Sequence, residues 1–176
     1  QERAHVGSPV ARHFYRYGFA IVRQWTPAAD LQRVQELLDG LFDRFDKLPQ
    51  NLAFDLGDVK LHQGAKRTPQ VNSATHFEPR LKETETFKRA LILARELLGE
   101  DANFAFDHAI YKPARNGRAT PWHQDMAYGG PVERPSFNVN FWIPLQAATV
   151  ESGTMQFIPG SHLGPLLPHH PVGRNP

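Results

Sequence analysis

The sequence predicts an α+β fold in one domain, with helices over residues 1–100 and a β-rich part over residues 101–176 that forms a barrel or jelly roll. Three observations predict it. Apolar residues recur at helical spacing in two long stretches before Glu100. After Glu100 the apolar period drops to two, the mark of strands with one buried face. A chain of 176 residues, 40% of them apolar, is enough for one domain with a substantial core and cramped for two.

Each element has a local reason. Ser8 followed by Pro9 is a helix start, with a hydroxyl to cap the first turn and a proline whose missing N–H costs nothing there. That helix is expected to end by Gly18, and "FAIVRQW" after it reads as a short strand. Thr26 and Pro27 repeat the start signal. Behind them Leu31, Val34, Leu37, Leu38, Leu41, Phe42 and Phe45 fall on one helical face, a stripe expected to pack into the core. From Pro49 to Pro79 the periodicity is lost among Gly57, Gly64 and Pro69, which reads as a long functional or mobile loop. Helical spacing returns through Phe87, Leu91, Ala94, Leu97 and Leu98, with Gly99 suited to the C-terminal cap. "NFAFDHAIYKP" then alternates, placing Phe104, Phe106, His108 and Ile110 on one face. "SFNVNFWIPL" sets Phe137, Val139 and Phe141 opposite Asn138, Asn140 and Trp142, and "GTMQFIPGSH" is a third strand that stops at a Pro-Gly turn.

Composition excludes several classes. The net charge is +2 and no basic run reads as a nucleic-acid stripe. There is no cysteine, which removes disulfide scaffolds, thiolate catalysis and Cys-type zinc or iron–sulfur sites. No apolar stretch is long enough to span a bilayer and "QERAHVGSPV" has no signal-peptide core, so no membrane partner and a cytoplasmic location are expected. A P-loop, a G-x-G-x-x-G after a strand, an H-E-x-x-H and a G-x-S-x-G elbow are all absent.

The chemistry-bearing stretch is "TPWHQDMAYGG", residues 120–130. If Trp122 to Met126 is extended, His123 and Asp125 point into one space. Imidazole and carboxylate side by side supply two of the three donors of the facial triad that binds non-haem Fe(II) and leaves positions open. An H-x-D pair alone is a weak signal that arises often by chance, and a surface turn with a polar pair is the commoner reading of such residues.

The surroundings add specificity. "IYKPARNGRATPWHQDMAYGG" and "NVNFWIPLQAATVESGTMQFIPGSH" resemble the phytanoyl-CoA dioxygenase family, Fe(II)- and 2-oxoglutarate-dependent oxygenases built on a double-stranded β-helix. The order of "YGFAIVRQ", two helices, a strand, W-H-x-D, a strand with Trp and then P-G-S-H matches as well, over roughly Pro9 to His170. The resemblance implies a double-stranded β-helix with N-terminal helices packed on it. It also implies Fe(II), 2-oxoglutarate and O2 as cofactor and cosubstrates. His123 and Asp125 are then the first two iron ligands. Trp142, His108 and His76 are the positions that match cosubstrate contacts in relatives. Read without the resemblance, His108 is a core histidine and His76 a solvated loop residue. Gln124 and Tyr128 flank the pair as candidate substrate contacts. Lys112, Arg115 and Arg118 form a solvated basic loop, or a greeting for an anionic substrate. His162 reads as structural. Related halogenases lack the carboxylate so that chloride can bind the iron; Asp125 is present, which implies hydroxylation of an unactivated C–H bond, with succinate and CO2 as co-products.

The family's distal histidine, in an H-x-S-x-x-N segment, and the arginine that pairs with the far carboxylate of 2-oxoglutarate have no counterpart in this sequence. His169 and His170, with Arg174 nearby, lie in surroundings that do not match, and are expected to begin a mobile loop over the site. The chain is therefore expected to be part of a longer protein, since a barrel without its last strands leaves edges unpaired. Three readings stand: a small-molecule oxygenase, a non-catalytic cupin-like binding module, and a metal-dependent cupin enzyme of another class. Nothing in the sequence indicates an oligomeric state.

Overall fold

The structure, a computed structural model, describes residues 7–56, 68–114, 119–128 and 137–169. The described residues contain helices α1 (Pro9–Tyr17), α2 (Ala28–Phe42), α3 (Ala74–Phe77) and α4 (Glu85–Leu98), and strands β1 (Ala53–Asp55), β2 (Pro69–Asn72) and β3 (His108–Ile110). The chain divides into two compact units, one of residues 24–118 with 143–147, the other of residues 1–23, 119–142 and 148–176.

In the larger unit, α2 turns Val34, Leu37 and Leu41 inward against Ala53, Val71 and Ala109 of the sheet and against Ala74 and Leu81. Leu38, Phe42, Phe45, Leu48, Phe77 and Leu145 close over this core, so the apolar stripe of α2 does pack as its spacing predicts. The sheet is antiparallel in the order β1-β2-β3, with Ala53 opposite Val71 and Val71 opposite Ala109 on the inner face. The outer face carries Phe54, Gln70, Asn72, His108 and Ile110.

Three carboxylates tie this unit together. Asp30 accepts from the backbone N–H of Glu85 (3.0 Å) and Thr86 (2.8 Å) and from the hydroxyls of Thr86 (2.7 Å) and Thr26 (3.2 Å). A residue of α2 therefore caps the start of α4, beside the Thr84 hydroxyl that accepts from Phe87 N–H at 3.2 Å. Burial pushes the Asp30 carboxyl up, but the hydrogen bonds from Thr86, Glu85 and Thr26 outweigh it and hold it below the ordinary carboxylate range. Glu78 is buried and receives two bonds of 2.7 Å from the Arg80 guanidinium, with Arg44 at 3.7 Å. The Arg80 hydrogen bonds, working against burial, lower its pKa as well. Asp107 accepts from Thr75 N–H and hydroxyl, both at 3.0 Å, while its own carbonyl accepts from Ser73 N–H at 2.7 Å. That ties the start of α3 to the residue before β3.

The smaller unit is held differently. Ser8 accepts from Ala11 N–H at 3.2 Å and Gly18 closes α1 in the left-handed conformation, φ +85°, as the two end signals predict. The Pro159-Gly160 turn docks on that helix end: Gly160 N–H donates to Tyr17 carbonyl (2.9 Å) and His162 Nε2 to Tyr15 carbonyl (3.0 Å). A methyl group on Gly18 would lie 2.5 Å from His162 Nδ1, so the turn seats only against a glycine. Phe19 stacks on Phe157 at 5.0 Å.

Several expectations are corrected. Residues 19–25 form no strand; Gln24 turns there at φ +50°, and Phe19 spends its face on Phe157. Thr26 does not cap α2, because its hydroxyl is drawn to Asp30. The span from Pro49 to Pro79 is not one long loop: it contains β1, β2 and α3, and its residues 57–67 lie outside the described ones. Alternation in β3 holds, but Ala109 is the buried residue while His108 and Ile110 face out, because the core offers room only for the small side chain opposite Val71. Residues 137–144 and 154–158, expected as strands, are irregular among the described residues; of the expected β-rich part only β3 joins the three-stranded sheet, and the described residues show no double-stranded β-helix. A strand needs at least one hydrogen-bonded neighbour, and the described residues offer these segments none. No helix among the described residues is long and apolar enough to cross a membrane.

Candidate functional site

His123 and Asp125 do come together, though not by strand alternation. Asp125 opens a short 3-10 turn, Asp125–Tyr128, and His123 precedes it in irregular chain. The turn swings the carboxylate back, leaving His123 Nε2 3.3 Å from Asp125 Oδ1. His123 Nδ1 lies 2.7 Å from the Pro121 carbonyl. A carbonyl only accepts, so Nδ1 carries a hydrogen and Nε2 is the ring atom that faces the carboxylate oxygen. A ring nitrogen and a carboxylate oxygen at that distance share a cation, a proton or a metal ion. Two donors each about 2.1 Å from a metal at a right angle are about 3 Å apart, so the observed pair fits adjacent corners of a metal site. The side chains are 28% and 61% exposed, open enough for an ion to enter.

The other carboxylate oxygen is also engaged. Asn140 donates its side-chain N–H to Asp125 Oδ2. Sequence reasoning placed Asn140 on the polar side of an alternating run without giving it a role; that alternation was the available signal. Among the described residues no group of three or more His, Cys, Asp or Glu side chains could hold a metal, so His123 and Asp125 supply two donors and the described chain no third.

Gln124, between the two donors, faces a strap of chain rather than open space. Its amide donates to Pro165 carbonyl (3.2 Å) and its amide oxygen accepts from Leu167 N–H (2.8 Å). Its backbone N–H donates to His169 Nε2 (2.9 Å), and the His169 Nδ1–H in turn donates to Leu167 carbonyl (2.6 Å). His169 therefore reaches the H-x-D backbone across 45 residues, but with Nε2 occupied as a hydrogen-bond acceptor. His170 and Arg174 lie outside the described residues, as do Arg115, Arg118 and the Tyr128 side chain. Trp142 is half-exposed in the same unit as the pair.

His108 and His76 belong to the larger unit, both exposed. His108 pairs with Asn72 across the sheet, and α3, which carries His76, begins two residues after Asn72 and hangs from Asp107. Both histidines are thus carried at the same end of the sheet, beside the outward Asn72, whose side chain accepts from the Gln70 amide at 2.7 Å.

Known proteins resemble this chain over nearly its whole length. Residues 14–175 match the family model described as phytanoyl-CoA dioxygenase (PhyH). A probable phytanoyl-CoA dioxygenase of Caenorhabditis elegans is 26% identical over 169 residues, covering 90% of this chain and 54% of the relative. The peroxisomal phytanoyl-CoA dioxygenase of Homo sapiens is 25% identical over 172 residues, covering 90% of this chain and 48% of the relative. The chain spans about half the length of these curated relatives. No solved structure matches it significantly. With the family model spanning residues 14–175, including the H-x-D pair and the Pro-Gly turn docked on α1, the chain belongs to the phytanoyl-CoA dioxygenase family.

Proposed function

We propose that this chain carries part of the active site of an Fe(II)- and 2-oxoglutarate-dependent dioxygenase that hydroxylates an unactivated C–H bond of a small molecule, with succinate and CO2 as co-products. The observation that carries the proposal is the convergence of His123 Nε2 and Asp125 Oδ1 at 3.3 Å with each side chain tied at its far atom. His123 and Asp125 would hold the iron, with Nε2 and Oδ1 as the donor atoms. When bound, the iron supplies activation of O2 against 2-oxoglutarate. Asp125 keeps its position filled by a carboxylate, which favours hydroxylation over halogenation.

The remaining residues bind and orient. Trp142, His108 and His76 are assigned to the cosubstrate, and Tyr128 to the substrate, on the family resemblance alone. Gln124 bonds the strap of residues 165–169, which limits its reach toward substrate but covers the H-x-D backbone. The double-stranded β-helix of such oxygenases would pair residues 137–144 and 154–158, irregular in this structure, as strands beside the site. The whole is one oxygenase domain.

The test is an anaerobic titration of Fe(II) and 2-oxoglutarate into the purified protein, followed by its visible charge-transfer band. A band that needs both additions and is lost in His123→Ala supports the proposal. Iron binding without any 2-oxoglutarate dependence points to a cupin enzyme of another class, and no metal binding by the full-length protein points to a binding module.

A further inference from the structure

We infer that Asn140 is a positioning residue for the Asp125 carboxylate, tying one oxygen so that the other is aimed, with His123 Nε2, at a shared cation. The inference rests on the reading of His123 and Asp125 as metal ligands. Asp125 sits at the mouth of a short turn with a side chain 61% exposed, and packing alone does not hold such a carboxylate in one rotation. Its two oxygens are chemically equal until something distinguishes them. Asn140 does so: its amide N–H binds Oδ2, while Oδ1 faces His123 Nε2 at 3.3 Å. The Pro121 carbonyl performs the matching task on the histidine, fixing its tautomer from Nδ1 at 2.7 Å. Both donors are thus braced at the atom that does not face the shared space, the arrangement by which outer partners orient metal ligands.

The choice of an amide has consequences. It is neutral at every working pH and competes weakly for a divalent cation. Its N–H engages Oδ2, which leaves Oδ1 as the oxygen that would ligate beside His123 Nε2. Asn140 stands two residues before Trp142, the candidate cosubstrate contact, so one short segment carries both residues.

The experiment uses Co(II) as a spectroscopic stand-in for Fe(II) and compares wild type with Asn140→Leu, which has no donor, and Asn140→Gln, which keeps one. Asn140→Leu is expected to weaken Co(II) binding roughly 10–100-fold, with the thermal transition of the metal-free protein unchanged. Asn140→Gln is expected to restore binding to within roughly threefold, because outer-shell orientation needs the donor more than the exact chain length. Independently of metal, the side-chain amide protons of Asn140 in a 15N-labelled sample are expected to shift in Asp125→Ala. Should Asn140→Leu bind Co(II) as tightly as wild type with the same spectrum, or the amide protons ignore Asp125→Ala, the inference is overturned while the metal site stands. If wild type binds no Co(II), the metal reading falls and the inference with it. Should Asn140→Leu fail to fold, the glutamine variant and the amide shift decide the matter.

Discussion

The two units hold themselves together by different means. The unit of residues 24–118 buries nine of the ten apolar residues that are fully buried among those described, and only Ala11 belongs to the unit that carries His123 and Asp125. In that second unit Phe137 is 84% exposed and Leu163 77%. Its order comes instead from directed hydrogen bonds: Asn140 on Asp125, Gln124 on residues 165–167, His162 on Tyr15. Burial is non-directional and tolerates small shifts; a set of paired polar contacts is lost one geometry at a time. A pair of polar side chains held at a set distance gains from the second kind of order, and a scaffold that must survive gains from the first.

The largest expected effect lies in the core. Leu41 is 0% exposed beneath the sheet, so Leu41→Ala is expected to cost about 2–5 kcal/mol in urea unfolding. Leu163→Ala, at an exposed position, is expected to stay within about 0.5 kcal/mol; equal effects would break the contrast between the units.

Gly18 comes next. Gly18→Ala combines a left-handed φ with a contact on His162 and is expected to cost about 1–3 kcal/mol. Part of that is expected to return in the double variant with His162→Ala, a coupling that a double-mutant cycle measures.

Asp30→Ala removes a cap that joins α2 to α4 and is expected to cost about 1–2 kcal/mol at neutral pH. The pH dependence has a definite sign. Asp30 and Glu78 both have folded pKa values below the ordinary carboxylate value. Their contribution is therefore present above the unfolded pKa and lost as pH falls through the folded one. Urea midpoints of wild type are expected to drop on acidification toward that range, and Asp30→Asn with Glu78→Gln is expected to flatten the drop. A double variant as acid-sensitive as wild type would assign the loss to other carboxylates.

The smallest effect is at the strap. Gln124→Ala leaves the core intact and removes two exposed hydrogen bonds, so its stability change is expected below about 1 kcal/mol. Hydrogen exchange is the sensitive measure: the Leu167 amide is expected to lose protection while Val71 keeps its own. Unchanged exchange at Leu167 would mean that the strap is held by something other than Gln124.

What was legible in the sequence was local. Both ends of α1 are written within a few residues of each cap, at Ser8-Pro9 and Gly18, and the C-terminal end of α4 at Gly99. The apolar stripe of α2 is likewise a property of one segment, and its burial follows from its period. The H-x-D pair was visible as a pair, and the order of short motifs along the chain was enough to reach the family. Each of these needs only the residues themselves or their neighbours.

Tertiary structure decided the rest, because every remaining feature depends on a partner far along the chain. β1 and β2 hid in a span without periodicity, since three- and four-residue strands are too short to display one and are defined by each other's edges. The inward face of β3 was chosen by the space opposite Val71, not by the larger phenylalanines that alternate before it. Asn140 meets Asp125 across 15 residues, and His169 meets Gln124 across 45. Closing such loops carries an entropy cost that only the assembled structure recovers. The sequence by itself therefore determined which residues are candidate metal donors and to which family the chain belongs, and the tertiary structure decided which atoms of those residues face each other and which partners they bond.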